Sequence, residues 1–514
     1  MQTVRRYTPF FASATLMCVV LCIIYPHYQY YVDPDSTAYL TIARRYATGD
    51  YQRAINGYWS PWACWLTAGL MSTGLGAILS GVIVNAAGAV GLLFISQSFF
   101  LKFGITDKLQ WLFNVTLALF LCYAVFDQSF DDLWECFFLL GSLRLMICEE
   151  FKRRPGLWVL YGLMGTLAYF AKAYSFPFFL LNTVCCVYFV VGGNVAQWLK
   201  ISAVAIAVML FGSHFWIVAL HHKYGIWTTS TAGSLNMSWY LVGHPQWKEE
   251  IKLLLPPAYD NSPYYWEDPY FANGATPHFW SSWHLFGLQF LRGGLNVFKL
   301  FMSMIKLSVF FPFISIVLAR FVMRQRSKST APAFTVALSF LLFPLGYLLI
   351  NFESRYIWYI LPLGMLATGL FIQNHLSQGK KTLAIVFPYL FAISFLICPA
   401  WRMGTMYNEG MHEYTIAQQL RTMNIHGSFT SLAKPGIEVQ QIERLAYFSE
   451  NQLYSNPQPA NCSMKDVLSE MRRYHVRYFF AWGASEAPFT DERGDVFPEI
   501  TKGSIPGLRV FQVN

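Results

Sequence analysis

From Phe10 to about residue 400 the chain repeats one pattern, an apolar run of some twenty residues followed by a short polar break. Twenty residues is the length a helix needs to cross the roughly 30 Å of hydrocarbon in a bilayer. Inside that layer no water satisfies the backbone, so each run must close its hydrogen bonds on itself as a helix. The fold class expected is therefore a polytopic α-helical membrane protein. Composition agrees: in 514 residues 55% are hydrophobic, 18% aromatic and 13% charged. About eleven spans are expected, near residues 10–26, 77–100, 111–127, 130–148, 156–171, 176–192, 198–220, 297–320, 331–350, 356–374 and 382–400. The first run, behind Arg5 and Arg6, lacks the small-residue cleavage site of a secretory signal and is read as a span.

The basic residues set the orientation. Arg5/Arg6, Lys102/Lys108, Lys152/Arg153/Arg154, Lys200, Arg320/Arg324/Arg326/Lys328 and Lys380/Lys381 all fall on one side of the alternating spans, which the positive-inside rule makes cytoplasmic. The net charge of +9 is accounted for by this placement and by contact with membrane lipids, and no nucleic-acid partner is read from it. The other, external face receives the stretch 27–61, the turn Asp127–Asp132, the turn Lys172–Ser175, the long loop 221–297, the turn Asn351–Arg355 and the tail 401–514. The division expected is a membrane domain over 1–400 and a small external α/β domain over 401–514. In the tail Met464–Tyr474 is patterned as an amphipathic helix, followed by strands at Val476–Trp482 and LRVFQV. The 221–297 loop, with Pro256, Pro257 and many aromatics, is expected to pack as an ordered lid.

The stretch Asp33–Pro61 is too polar to cross a bilayer. Asp33-Pro34-Asp35-Ser36-Thr37 has the chemistry of a helix start and Gly49 that of a helix end. Between them Tyr39, Ile42, Ala43 and Tyr46 share a face with Arg44 and Arg45 towards the other, which predicts an interfacial helix along the membrane surface. Asp33 can cap this helix alone. Asp35 is then left as either a second cap or a general base at a low-dielectric boundary, where burial and a like-charged neighbour raise proton affinity.

Other ionisable groups gather on the same face. Asp131 and Asp132 open the fourth span, where an acid also suits the helix N-terminus. Lys172 interrupts an apolar run, and reads as a snorkelling side chain or a phosphate contact. In Glu353-Ser354-Arg355-Tyr356 the acid can steady a guanidinium whose fork faces an oxyanion, or simply pair with it. Arg44, Lys299 and Lys306 are further phosphate candidates, against headgroup contact or snorkelling. Tyr58, Trp59 and Trp62 suit a sugar site or an interfacial belt. His244, His278 and His284 lack the spacing of paired ligands on a helix, so no metal site is assigned, and a divalent metal stays open. The ten cysteines, mostly in apolar runs with Cys64 and Cys462 outside them, give no disulfide framework. Asn461-Cys462-Ser463 fits the short glycosylation pattern.

The order PDSTAYLTIARRYATGDY, SFDDLWECFFLLGSLRL, LAYFAKAYSFPFFLLN and ESRYIWYILPLGML resembles the bacterial GT-C glycosyltransferases of the protein-mannosyltransferase and aminoarabinose-transferase type, over most of residues 1–400. The resemblance implies transfer of a sugar from a polyprenyl-phosphate donor to a lipid, glycan or protein acceptor on the external, periplasmic face of the inner membrane. It implies Asp35 as catalytic acid/base, Asp132 as second carboxylate, and Lys172 and Arg355 at the donor phosphate, with Glu353 and Tyr356 in support. Ser36 stands where those proteins usually carry an acid, and Ala173-Tyr174 where Gly-Pro is common. The same features suit two other classes: a transporter or flippase of a lipid-linked or anionic substrate, and a non-catalytic envelope assembly protein. Transporters place their charges near the midplane, whereas here they cluster at one face.

Overall fold

The computed structural model describes residues 5–127, 130–243, 254–272, 276–324, 331–376, 381–432, 438–455, 463–483, 489–490 and 494–513. His244, Asn461, Cys462, Arg326, Lys328 and Lys380 lie outside the described residues, and with them the glycosylation pattern and part of the histidine group. In chain order the membrane part comprises α1 (Thr8–Tyr28), α2 (Pro34–Thr48), α3 (Pro61–Met71), α4 (Ala77–Lys102), α5 (Asp107–Phe126), α6 (Asp132–Met146), α7 (Pro155–Ala171), α8 (Ser175–Val190), α9 (Val195–Tyr224), α10 (Ala232–Val242), α11 (Trp283–Leu307), α12 (Phe311–Arg324), α13 (Ala331–Leu342), α14 (Ile360–Phe371) and α15 (Lys381–Met406).

The protein is a multi-pass membrane protein. Among the described residues six helical stretches have the length and hydropathy to cross a bilayer: α1, α4, α5, α9, Pro332–Leu349 and the stretch from Thr382. Helices α7, α8 and α14 are apolar but shorter. The run expected as one span at 297–320 is instead broken, with α11 and α12 meeting at 114°. Pro312 explains the break: it offers no N–H, and its ring collides with the carbonyl four residues back, at Ser308. Helix α11 shows the inverted pattern of a helix facing lipid. Gln289, Asn296 and Ser303, seven residues apart, are buried, while Phe290 and Phe298 are 79% and 63% exposed.

Helix α2 is built as its sequence dictates. The Asp33 carboxylate accepts from the Ser36 N–H at 2.6 Å, Pro34 supplies the first turn, and Gly49 ends it at φ +84°. Its setting differs from the surface position expected of it. Thr37 to Ala43 are all buried, and so is Arg45, which pairs with Glu267 and Asp50. The charge on Arg45 is met by acids of the protein rather than by water, so α2 is an internal beam and not a helix with one wet face.

Beyond α15 follow α16 (Met411–Thr422), β1 (Ser428–Ser431), α17 (Val439–Ser449), β2 (Gln452–Leu453), α18 (Met464–Arg473), β3 (Tyr478–Trp482) and β4 (Leu508–Gln512). The strands lie in the order β2-β1-β3-β4; β1 is parallel to β2 and β3, and β4 is antiparallel to β3. One hydrophobic core joins this sheet to the segment that follows α1. Tyr39 and Ile42 of α2, Cys64 and Ala68 of α3, and Leu420, Phe429, Leu445, Phe480 and Val510 belong to the same buried cluster. The long loop is stitched in as well: Arg45 holds Glu267, Asn56 donates to the Glu267 carbonyl at 2.7 Å, and Lys223 pairs with the buried Asp268 at 3.0 Å.

Candidate active site

Because Asp33 serves as the cap, Asp35 on the first turn of α2 is released to point elsewhere. One of its oxygens accepts from the Arg355 guanidinium at 2.7 Å and the other from the Trp266 indole N–H at 3.1 Å. Three distant segments thus meet on one carboxylate. Asp33 itself is buried, and burial, then the charge of Asp35, pushes its carboxyl up to about 8.

Lys172 occupies a short extended break between α7 and α8, with φ −152° and ψ 128°. The break turns its ammonium inward onto the start of α6, where it pairs with Asp132 and lies 3.4 Å from Asp131. Burial opposes the charge on Lys172, but Asp131, Asp132 and Glu135 outweigh it and hold the ammonium above the ordinary lysine range. The rings of Tyr356 and Tyr347 lie 4.5 and 5.9 Å from the ammonium. Arg355 comes from a 3-10 turn, Ser354–Ile357, ahead of α14; its Nε meets Glu353 at 3.0 Å and lies 3.8 Å from Asp132. Asp131 is pushed up to about 6, first by burial and then by the charge of Asp132, against the pull of Lys172 and Arg355.

These groups open onto a cavity of about 710 Å³. Asp35, Asp131, Lys172, Glu353, Arg355 and Tyr356 line it, together with Tyr58, Trp59, Asn236, Trp239, Tyr240, Trp266, Tyr347 and Asn351. Lys172 and Arg355 are the only cations on its described walls. Carboxylates and two cations meeting on one cavity can bind an oxyanion at the cations and take up a proton at a carboxylate. A second cavity, about 260 Å³ between α12, α13 and α14, is lined almost wholly by apolar side chains and carries no ionisable group among its described walls.

The fate of the sequence candidates is uneven. Asp35, Lys172, Arg355, Glu353 and Tyr356 are brought together. Asp132 belongs to the cluster but is 1% exposed, behind Lys172, and it is Asp131 that reaches the cavity wall. Arg44 stays out: it points to Glu450 at 3.5 Å and to the ring of Tyr447. Tyr58 and Trp59 line the cavity, whereas Trp62 packs into the bundle against Trp134 and Phe138. Lys299 donates to the cavity-lining Asn351 at 2.8 Å, and Lys306 is exposed. Cys64 is buried in α3. His278 stacks on Trp280, and among the described residues no three histidine, cysteine or acid side chains converge as metal ligands do. Trp266, Tyr240 and Asn236 escaped the sequence reading. Only the density of aromatics in YYWEDPYF set the first apart, and nothing did so for the others.

No family model matches the sequence, and no curated protein matches it. Solved structures do match the fold. ArnT from Cupriavidus metallidurans bound to undecaprenyl phosphate aligns at a TM-score of 0.54 and 13% identity, covering 97% of this chain and 98% of its own. The same protein in the apo state aligns at a TM-score of 0.55 and 12% identity, covering 97% of each chain. The chain is similar to ArnT in fold from end to end.

Proposed function

We propose, from a fold shared with ArnT and a carboxylate set beside two cations on one cavity wall, that this protein is an integral-membrane glycosyltransferase. It moves a sugar from a polyprenyl-phosphate donor to an acceptor hydroxyl at the external face of the bacterial inner membrane. The observation that carries the reading is the meeting of Asp35, Arg355 and Lys172 on one cavity wall. ArnT itself was solved with undecaprenyl phosphate, the class of carrier that the proposed donor releases.

The reaction is a single displacement. Asp35 takes the proton of the acceptor hydroxyl as its oxygen attacks the anomeric carbon, and the bond from that carbon to the phosphate oxygen breaks. The negative charge arriving on the departing polyprenyl phosphate is met by Arg355 and Lys172, in a site shielded enough for such contacts to count. Attack from the face opposite the leaving group inverts the anomeric centre. Glu353 and Asp132 orient the two cations; Tyr356 covers Lys172. In this topology the N-terminus is cytoplasmic and residues 401–514 are external.

The test uses purified protein in liposomes with labelled undecaprenyl-phosphate sugars and a bacterial envelope extract as the source of acceptor hydroxyls. The wild type consumes donor and releases polyprenyl phosphate, and Asp35→Asn, which keeps the shape of the side chain, lowers turnover at least a hundredfold. Full turnover in Asp35→Asn, or movement of intact donor across the bilayer with no consumption, overturns the proposal.

A further inference from the structure

The bond from Arg355 holds one oxygen of Asp35 and does not by itself fix the carboxylate, because the last torsion of an aspartate side chain takes a broad range of values. The second oxygen accepts from the Trp266 indole N–H at 3.1 Å. The indole is a fixed point because the backbone beneath it is fastened to three other segments. Between α2 and α3, the Trp59 indole N–H donates to the Trp266 carbonyl at 2.9 Å and the Asn56 amide to the Glu267 carbonyl at 2.7 Å. The Glu267 carboxylate, 2% exposed, accepts from Nε and Nη2 of Arg45 in α2. The buried Asp268 carboxylate accepts from the Tyr224 hydroxyl at 2.8 Å and pairs with Lys223 at 3.0 Å, both at the end of α9. Tyr58 and Trp59 pack on the indole itself, with ring centroids 5.3 and 5.8 Å away.

We propose that Trp266 is the positioning residue of Asp35, and that Glu267 and Asp268 serve the reaction by anchoring it. The proposal rests on the glycosyltransferase reading and assigns the group that aims its base. With a donor on each oxygen the plane of the carboxylate is set, and each oxygen keeps a lone pair for the acceptor hydroxyl. An indole nitrogen donates and does not accept, so it cannot take the proton that Asp35 collects. Being uncharged, it adds no second ion pair to oppose that uptake. Arg355 and Lys172, not Trp266, meet the donor phosphate, so loss of the indole N–H acts on the chemical step and leaves donor binding in place.

The experiment uses the full chain in liposomes with labelled undecaprenyl-phosphate sugar and a bacterial envelope extract as the source of acceptor hydroxyls. Trp266→Phe keeps an aromatic ring and removes the donor; kcat falls about tenfold or more while the donor KM stays within about twofold. Trp266→His puts a ring nitrogen where the indole nitrogen was. At about pH 8, where imidazole is uncharged, its kcat exceeds that of Trp266→Phe although its ring is smaller. In the Asp35→Asn background, Trp266→Phe lowers the residual turnover by less than about twofold. Wild-type kcat in Trp266→Phe, an equal fall in both substitutions with a raised KM, or the full further loss in the Asp35→Asn background overturns the proposal. Incorporated fluorotryptophan adds a readout that needs no turnover: the fluorine resonance lost in Trp266→His moves in Asp35→Ala, and this shift decides where Trp266→Phe does not fold. If the wild type consumes no donor while that resonance moves, the transferase reading falls and the hold of Trp266 on Asp35 stands; if donor is consumed and the resonance stays, the reverse is true.

Discussion

Asp131 shows how the site balances its charges. Among the described residues four carboxylates, Asp35, Asp131, Asp132 and Glu353, pair with Lys172 and Arg355, so the cluster carries surplus negative charge where the proposed donor phosphate would sit. Burial first, and then the charge of Asp132, raises the Asp131 carboxyl from 3.8 to about 6. A carboxyl raised in the folded state favours folding while it is protonated. That contribution is complete below about pH 4 and is lost as pH climbs towards 6. Asp131→Asn is therefore expected to melt higher than the wild type above pH 6, by at most about 3 kcal/mol, with the difference closing near pH 4. The same change removes one charge facing the incoming phosphate, so the donor KM should fall above pH 6 and converge with the wild type below it. Melting curves and donor kinetics from pH 4 to 8 check both; a wild-type-minus-variant difference that does not vary with pH rejects this account.

At the scale of elements, two glycines in left-handed conformation separate local from tertiary constraint. Gly49 ends α2 at φ +84° with open space around it, while Gly410 precedes α16 at φ +86°. A Cβ on Gly410 would drive into the Tyr30 carbonyl and the Arg444 side chain. Those groups belong to the joint that fixes α17 to the lead-in of α2: Arg444 donates to the Val32 carbonyl at 2.8 Å and pairs with Glu409 at 2.9 Å. Gly49→Ala should cost only the backbone strain, about 1–2 kcal/mol, with turnover retained. Gly410→Ala should cost more than that and lower kcat, because it displaces the strand of chain that carries Asp33 and Asp35. Equal effects of the two substitutions on melting temperature and kcat would show that the joint does not position the site.

The whole molecule is organised around a contact between its two ends. The beam α2, the 254–272 loop and the sheet of the last hundred residues share one core, so the residues after 400 are no detachable appendage. Leu445, fully buried in that core, lies far from the charged cluster in sequence. Leu445→Ala is expected to cost about 2–5 kcal/mol and to lower protection from hydrogen exchange in α2 and α17 together. Loss of protection in α17 with α2 untouched would mean that two units fold separately.

The membrane class and the start and end of α2 were legible in the sequence because each depends on local chemistry: run length, a cap, a glycine. The cluster of Asp35, Lys172 and Arg355 was legible through a resemblance in the order of motifs. Other features depended on contacts that span hundreds of residues. Which of Asp131 and Asp132 meets the cavity, why Arg44 turns away while Arg45 is buried, and how Trp266 joins the site leave no trace in local pattern. Burial of an ionisable side chain is decided by what packs over it, and here that covering comes from the long loop and the far end of the chain. Local pattern specifies a bundle of apolar helices with ionisable groups in the breaks between them; which of those groups share a cavity is set by packing between segments far apart in the chain.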